Sequence, residues 1–564
     1  MSLGRQCWRC RKRRLRCDSC LPACTRCETA GIGCPGYSES KPIAWRNPVV
    51  LTRKGLVRVC QPENRRNRPK SALPSAAESI CRPPRTASSE LDLRIAADAM
   101  EYYNLHVALD LVPYSISQSP YQIPPQSVGE LAPCLRHAFI SIAALHRHII
   151  SQKPAMTFKH YRTVSRRVAW FSNRSYIPRR DSELSQLVSV GNFEGVYFAT
   201  QAAALKALSE GLSRLQSGGP TSGPYSDILL GIVVLLSSQV QFSAYAPWQS
   251  HLQGAWGLVH FRGELGTTAN KDQDLRGLSH HLAVIDIIGT STQCLTKSSA
   301  EMVVSRHTTY ASTLKETGVV ISDPWLLVPN DMALALIQIN IFRAQNVTRS
   351  VTRSSGERLP DILDSVEASE PDRWAAEAMA IAAAWLAPSQ LSDDEETEAA
   401  WLALMTAYHS AITVYAISSI AGLGRTPTTY ASSTTYNVNR LGLTAFGALL
   451  ASLHVLFDQR ERVQSSHNNN AQGPSKCTAT SAGLLHKFAI WPMVIGGIQA
   501  ALVYSDDETT DQLCSWMQAV GEELGTVSAI DGAYLVRELQ RLRRNGRIFS
   551  SWDNLFDGAP LFLM

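Results

Sequence analysis

Residues 7–34 read CWRCRKRRLRCDSCLPACTRCETAGIGC. Cys7, Cys10 and Cys17 recur as Cys24, Cys27 and Cys34, each displaced by 17 residues, so C-x2-C-x6-C is written twice. So short an internal repeat points to a pseudo-twofold metal site. A structural zinc takes four tetrahedral ligands, and a CxxC pair puts two thiolates on one ion at the start of a helical turn. Two zincs need eight thiolate contacts from six cysteines. Two sulfurs must therefore bridge, and symmetry nominates the equivalent pair Cys7 and Cys24. Cys20 opens an alternative, in which Cys17-x2-Cys20 joins Cys7-x2-Cys10 around a single zinc. Only the two-zinc reading uses the repeat; Cys20 is then a spare loop thiol.

Six thiolates and two Zn²⁺ leave a cluster near −2, which flanking Arg and Lys offset. The unit is too small for an apolar core, so metal binding and folding are expected to be one event. Its two halves differ in the residues after each CxxC. After Cys10 come Arg11, Lys12, Arg13, Arg14 and Arg16; between Cys27 and Cys34 there is no base. Only the first half can face phosphate. A short helix from the first CxxC presents Arg13 and Arg14 at its far end, where Arg grips the O6 and N7 edge of guanine. Arg11, Lys12, Arg16 and Arg26 fit phosphate neutralisation, which gives affinity without sequence. The same bases also suit a nuclear-import signal.

The spacing C-x2-C-x6-C-x6-C-x2-C-x6-C, the loop Cys17, Asp18, Pro22, Cys24 and the glycine at Gly31 resemble the fungal zinc binuclear cluster DNA-binding domain. The resemblance implies a module that binds CGG-rich half-sites of double-stranded DNA, read in the major groove by the two basic residues at Arg13 and Arg14. Many members carry Lys at the second of these. It also implies Zn²⁺, two per cluster, and a nuclear location.

Charge divides along the 564-residue chain in the same way. Residues 1–90 hold 19 Lys+Arg against 6 Asp+Glu, a balance of +13, while the remainder holds 35 against 42, a balance of −7. A basic head on a mildly acidic body points to a polyanionic partner. Residues 35–90 contain eight prolines, so no continuous helix can run through them, and no heptad coiled coil succeeds the cluster. Monomeric action, or a dimer held through the body, is the expectation.

From about residue 93 the pattern is helical. Leu205, Leu208, Leu212 and Leu215 recur at helical spacing, as do Leu535, Leu539 and Leu542, and Trp401, Met405, Tyr408, Ile412 and Tyr415. These stripes read as core. Gly218–Gly223, Gly422–Ser433 and the tract SSHNNNAQGPSK read as loops, and residues 172–200 as an insertion without regular pattern. The apolar run from Phe488 to Tyr504 contains Pro492 and Gln499 and reads as a buried helix rather than a membrane span. The N-terminus has no apolar signal region, and a reducing compartment is expected for the 13 cysteines.

The body carries a second resemblance. PWQSHLQGAWGLVHFRG (Pro247 to Gly263), LRHAFISIAALH (Leu135 to His146), HYRTVSRRV and FAIWPMVIGGIQA (Phe488 to Ala501) are similar to the fungal-specific transcription factor helical domain. CPGYSESKPIAW (Cys34 to Trp45) resembles the variant without a coiled coil, and SWDNLFDGAPLFLM the family's end, so a complete chain is expected. A regulatory body with a small-molecule effector or co-regulator is implied.

Catalytic constellations are not found. Gly31, Gly33 and Gly36 satisfy GxGxxG only inside the cysteine cluster; GxSxG, HExxH and a GK[ST] loop are absent. The acidic run Ser392 to Glu398 reads first as helix-start chemistry and second as an activation segment. The sequence thus predicts a zinc-stapled cluster domain at 1–38, a disordered linker at 39–92 and a large all-α regulatory domain at 93–564. Its expected role is a DNA-binding transcription regulator rather than an enzyme. The competing classes are a helical receptor or enzyme with a zinc head for localisation, and a zinc-stapled protein-interaction module.

Overall fold

The computed structural model describes residues 10, 17–18, 25–29, 51–52, 55–56, 87–111, 122–151, 182–216, 223–244, 248–261, 273–317, 329–348, 359–385, 395–423, 438–469 and 481–556. The chain divides into two compact units, Met1–Arg82 and Pro83–Met564. In the first lie helix α1 (Thr25–Thr29) and a short antiparallel pair, β1 (Leu51–Thr52) with β2 (Gly55–Leu56). That pair falls inside the stretch expected to be disordered linker.

The second unit is helical. Its N-terminal helices are α2 (Ala87–His106), α3 (Pro133–Ser151), α4 (Ser182–Ser189), α5 (Phe193–Gln216), α6 (Gly223–Phe242) and α7 (Trp248–Phe261). Then come α8 (Gln273–Ser291), α9 (Lys297–Thr317), α10 (Asn330–Thr348), α11 (Leu359–Glu367), α12 (Pro371–Trp385), α13 (Glu395–Ile420) and α14 (Val438–Asn469). The unit closes with α15 (Ile490–Gln499), α16 (Asp507–Leu524) and α17 (Val527–Arg544). A 3-10 helix, Ser481–Ala489, precedes α15, and another, Asp553–Phe556, ends the described chain.

Beside a small hydrophobic core of Leu295, Ala300, Val303 and Ala344, two large ones result among the described residues. One gathers side chains of α2, α3, α5, α6 and α7, the other those of α10 to α17. α13 lies at the heart of the second: Trp401, Met405, Tyr408, Ile412 and Tyr415 are all buried, and its opposite face is buried too, as suits a central helix. Glu395, Glu396 and Glu398 occupy its first turn, beside the positive end of the helix dipole, which supports the helix-start reading of the acidic run. The cores are joined where α6 ends against α17. Buried Asp531 accepts hydrogen bonds from Ser243 Oγ at 2.9 Å and the Ala244 amide at 2.8 Å. Gln241 Nε2 donates to the Gly525 carbonyl at 3.0 Å. Gly525 ends α16 at φ +58°, where a Cβ would come within 2.6 Å of His146, so both conformation and space require glycine.

Several expectations are corrected. The body's first helix starts at Ala87, before residue 93. Residues 182–189 and 193–200 are helical rather than an insertion, because Val196, Tyr197 and Thr200 supply a buried face that the preceding polar run hides from a window average. α14 continues through Ser465–Asn469 of the polar tract, since extending an established helix by a turn costs little. Leu205 is exposed; the buried stripe of α5 runs through Ala204 and Leu208. Among the described residues four helices are long and apolar enough to cross a membrane: Tyr225–Phe242, Glu395–Ile420, Val438–Arg462 and Leu485–Tyr504. The Val438–Arg462 window is 44% buried, against 72%, 78% and 72% for the others.

Candidate functional site

In the head, Cys10 is helical and Cys27 sits in α1; each is 3% exposed, and Cys17 is half-buried. Cys10 and Cys27 are the repeat-equivalent second cysteines of the two CxxC pairs, and among the described residues of the head they are the buried side chains. Asp18, the residue after Cys17, caps α1: its Oδ2 accepts from the Thr25 amide at 3.0 Å and from the Thr25 hydroxyl. The Thr29 hydroxyl donates to the Thr25 carbonyl at 2.7 Å, closing the same turn. This explains the aspartate in the loop between the halves: it satisfies an orphan helix-start donor and fixes the turn that carries Cys27. Soft thiolates withdrawn from water, with no apolar core described around them, are the donor set that a structural zinc takes. Cys7, Cys24 and Cys34, and the bases Arg11, Lys12, Arg13, Arg14 and Arg16, lie outside the described residues, as does Cys20.

The body contains a polar centre that the sequence reading missed. It forms at the C-terminal end of α8, where Asp286, Thr290, Ser291, Thr292 and Gln293 are buried. The unpaired carbonyls there are met by buried Arg343 of α10. Its Nη1 donates to the Thr290 carbonyl at 3.0 Å and its Nη2 to the Gln293 carbonyl at 3.0 Å. Nη2 also pairs with Asp553 Oδ1 at 2.7 Å, and Nη1 with the Tyr415 hydroxyl at 2.7 Å. Trp552 Nε1 donates to the Ser291 carbonyl at 2.7 Å, and Trp491 Nε1 to the Ser291 hydroxyl at 2.8 Å. A cation and two tryptophan N–H groups thus meet one helix C-terminus in the interior, consistent with the negative end of its dipole. The signals were present: Asn340 and Arg343 interrupt an apolar helix in NDMALALIQINIFRAQ.

On the other side of α8, Arg306 forms a two-pronged ion pair with Asp286, Nε to Oδ2 at 2.6 Å and Nη2 to Oδ1 at 2.9 Å. The Tyr310 hydroxyl donates to Asp286 at 3.1 Å and receives Trp256 Nε1. Fully buried His307 makes no hydrogen bond through either ring nitrogen, and its Nε2 is 3.9 Å from Asp286. Burial outweighs that carboxylate and pushes His307 down to about 4, so it is neutral near pH 7. A cleft of about 310 Å³, its open mouth included, lies against this group, with Trp248, Gln249, Leu252, Asp286, Gln293 and Arg306 in its wall.

Lys487, 9% exposed, meets Asp110 at 2.6 Å and Glu523 at 3.6 Å; His486 Nε2 and Arg460 Nε each lie 3.0 Å from Glu523. Burial alone would raise Glu523, but the His486 hydrogen bond and the surrounding cations hold it down to about 2.

Comparison with known proteins agrees with both resemblances. Residues 5–43 match the fungal Zn(2)-Cys(6) binuclear cluster domain, and residues 99–564 match the fungal specific transcription factor domain. The chain is similar to the phomenoic acid biosynthesis cluster-specific transcriptional regulator of Leptosphaeria maculans, at 24% identity over 567 residues, covering 99% of this chain and 89% of that one. No solved structure matches. A zinc-binding cluster domain at one end and a helical domain over most of the length place this chain in the family of fungal zinc-cluster transcription factors, and outside the enzymes.

Proposed function

We propose that this regulator reads CGG-like half-sites with Arg13 and Arg14 in the major groove, while Arg11, Lys12 and Arg16 hold phosphates. In this reading Cys7, Cys10, Cys17, Cys24, Cys27 and Cys34 hold two zincs, with Cys7 and Cys24 bridging. The domains are 1–38 for the cluster, 39–92 for the linker and 93–564 for the body, whose first helix reaches back into the linker to Ala87. The protein acts in the nucleus, as a monomer on a short site or as a dimer held through the body. The body's four apolar helices serve as core rather than as membrane spans, and it takes a small-molecule effector or a co-regulator. The relative's name favours genes of a biosynthetic cluster as targets.

The observation that carries this reading is the asymmetry of the repeat: five bases follow one CxxC and none follows its equivalent. A metal staple alone, or an import signal alone, gives no reason for that placement inside a pseudo-symmetric unit. The experiment is selection of duplex sites from a random pool by the full chain, with zinc per chain measured on the same sample. Enrichment of a CGG-containing site with two zincs per chain is expected. Enrichment of an unrelated sequence would remove the half-site assignment, and one zinc per chain would remove the binuclear one.

A further inference from the structure

We propose that the cleft walled by α7, α8 and α9 binds a monocarboxylate with a short apolar tail, its carboxylate held by the edge of Arg306 that Asp286 leaves open. The proposal rests on the effector reading of the body and gives that effector a place and a chemical class. Asp286 takes the Nε and Nη2 edge of the guanidinium, at 2.6 and 2.9 Å. A guanidinium carries five N–H donors, so a second edge remains, formed by Nη1 and the other N–H of Nη2. Among the described residues nothing accepts from Nη1. Both residues line the cleft, but the Arg306 side chain is 14% exposed and that of Asp286 1%, so an entering ligand meets the cation. The same walls carry the amides of Gln249 and Gln253 and the hydrocarbon of Leu252, Met302 and Val303. At about 310 Å³ with its mouth the cleft lies at the small end of ligand sites, which keeps the tail short.

The orphan histidine completes the site. Two carboxylates on one guanidinium leave one negative charge in excess, which a buried group resists. His307 is fully buried, neither of its ring nitrogens is hydrogen-bonded, and its Nε2 stands 3.9 Å from Asp286 Oδ2. An apolar side chain in its place would avoid the cost of two unmet polar atoms, so packing alone gives no reason for a histidine. Protonated, it becomes a donor to Asp286, and the group then holds two cations and two carboxylates. Asp286 of α8 and Arg306 on its own helix are the charges that act on His307. Tyr310, ring to ring at 5.7 Å, stays protonated because burial pushes its hydroxyl well up. Without ligand burial keeps His307 neutral near pH 7, so a carboxylate should enter together with one proton drawn from solvent.

Calorimetric titration of the full chain with sodium hexanoate, without DNA and in two buffers of different ionisation heat, tests this. The expected result is binding with a Kd of about 1 mM near pH 6, as suits so small a ligand. The association constant should fall towards tenfold per pH unit between about pH 6 and 8, with proton uptake on binding. Hexanamide, the same chain without the charge, should bind at least tenfold more weakly. Met302→Trp, which fills the cleft from a position 38% exposed, should abolish binding at unchanged helicity. His307→Gln should remove the pH dependence, which loss of a merely structural histidine would not. Absence of hexanoate binding, equal binding of hexanamide, or an affinity independent of pH would overturn the proposal. Binding unchanged in Met302→Trp would overturn it too, but would leave the body an effector site elsewhere; selection of DNA sites judges the regulator reading separately.

Discussion

The head and the body of this chain solve the same problem by opposite means. The body buries four tryptophans, Trp248, Trp401, Trp491 and Trp552, almost completely, and surrounds them with two cores drawn from most of its helices. In the head, the side chains withdrawn from water among the described residues are cysteines, Cys10 and Cys27. A fold made of many weak contacts tolerates loss of one; a fold tied by a metal does not. The contrast also separates duties. The residues expected to touch DNA need only a rigid scaffold of some 30 residues, whereas regulation requires an element large enough to hold alternative packings.

The sharpest way to break this comparison is Cys24→Ser. If Cys24 bridges two zincs, its loss should empty and unfold the whole head, lowering bound zinc towards zero and abolishing specific DNA binding. The melting of the helical body should not change. Zinc analysis beside a thermal melt of the same sample checks both halves, and a head that keeps one zinc would break the bridging assignment.

Arg343→Ala asks whether the body has a comparable keystone. It removes the cation that meets Thr290, Gln293, Tyr415 and Asp553, leaving carbonyls and a carboxylate without their partner in the interior. Loss of one member of a buried pair costs about 3–5 kcal/mol. Urea unfolding followed by helical circular dichroism should show that loss while zinc content stays unchanged.

That centre marks how far the sequence was legible. The stripe from Trp401 to Tyr415, the helix start at Glu395 and the buried run at Phe488 to Tyr504 are local patterns, and helical periodicity reads them directly. The cysteine spacing is local too. Arg343 reaching Asp553, Trp552 reaching Ser291 and Asp531 reaching Ser243 span 210, 261 and 288 residues. No short window encodes such pairs. Leu205 failed for a related reason: several registers of leucine fit a helix, and only the packed neighbours of α5 decide which one is buried.

A pH titration sharpens the contrast further. His307 has an ordinary value of 6.5 and is lowered by burial to about 4, so the unfolded chain binds its proton more readily than the folded one. Its contribution to stability is complete above pH 6.5 and is lost as pH falls through 4, about 3 kcal/mol in all. Glu523, lowered from 4.5 to about 2, acts in the same direction at lower pH. The body should therefore weaken steadily on acidification, and His307→Leu should flatten the slope between pH 6.5 and 4. A slope unchanged in that variant would locate the acid sensitivity elsewhere.

Smaller effects bear on how the head reads DNA. Arg13→Ala should cost about 1–3 kcal/mol on a selected site and relax the preference at one base pair. Arg16→Ala should weaken all sequences alike and lower the salt slope by about one. Binding measured on selected and scrambled duplexes at several salt concentrations distinguishes the two roles. Equal losses on both duplexes for Arg13→Ala would move it among the phosphate contacts.

Cys20→Ser should do nothing at all, and that makes it the finest discriminator between the two metal arrangements. In the binuclear scheme every zinc contact comes from the doubled C-x2-C-x6-C, and Cys20 has no counterpart in the second half: seventeen residues on stands Tyr37. In the single-zinc scheme Cys20 supplies one of four ligands, and its loss empties the site. The carboxylate of Asp18, next to the Cys17 common to both schemes, holds the turn that begins α1 and carries Cys27, a ligand in the binuclear scheme alone. Unchanged zinc content and DNA affinity in Cys20→Ser would agree with that geometry; loss of metal would return the head to one zinc.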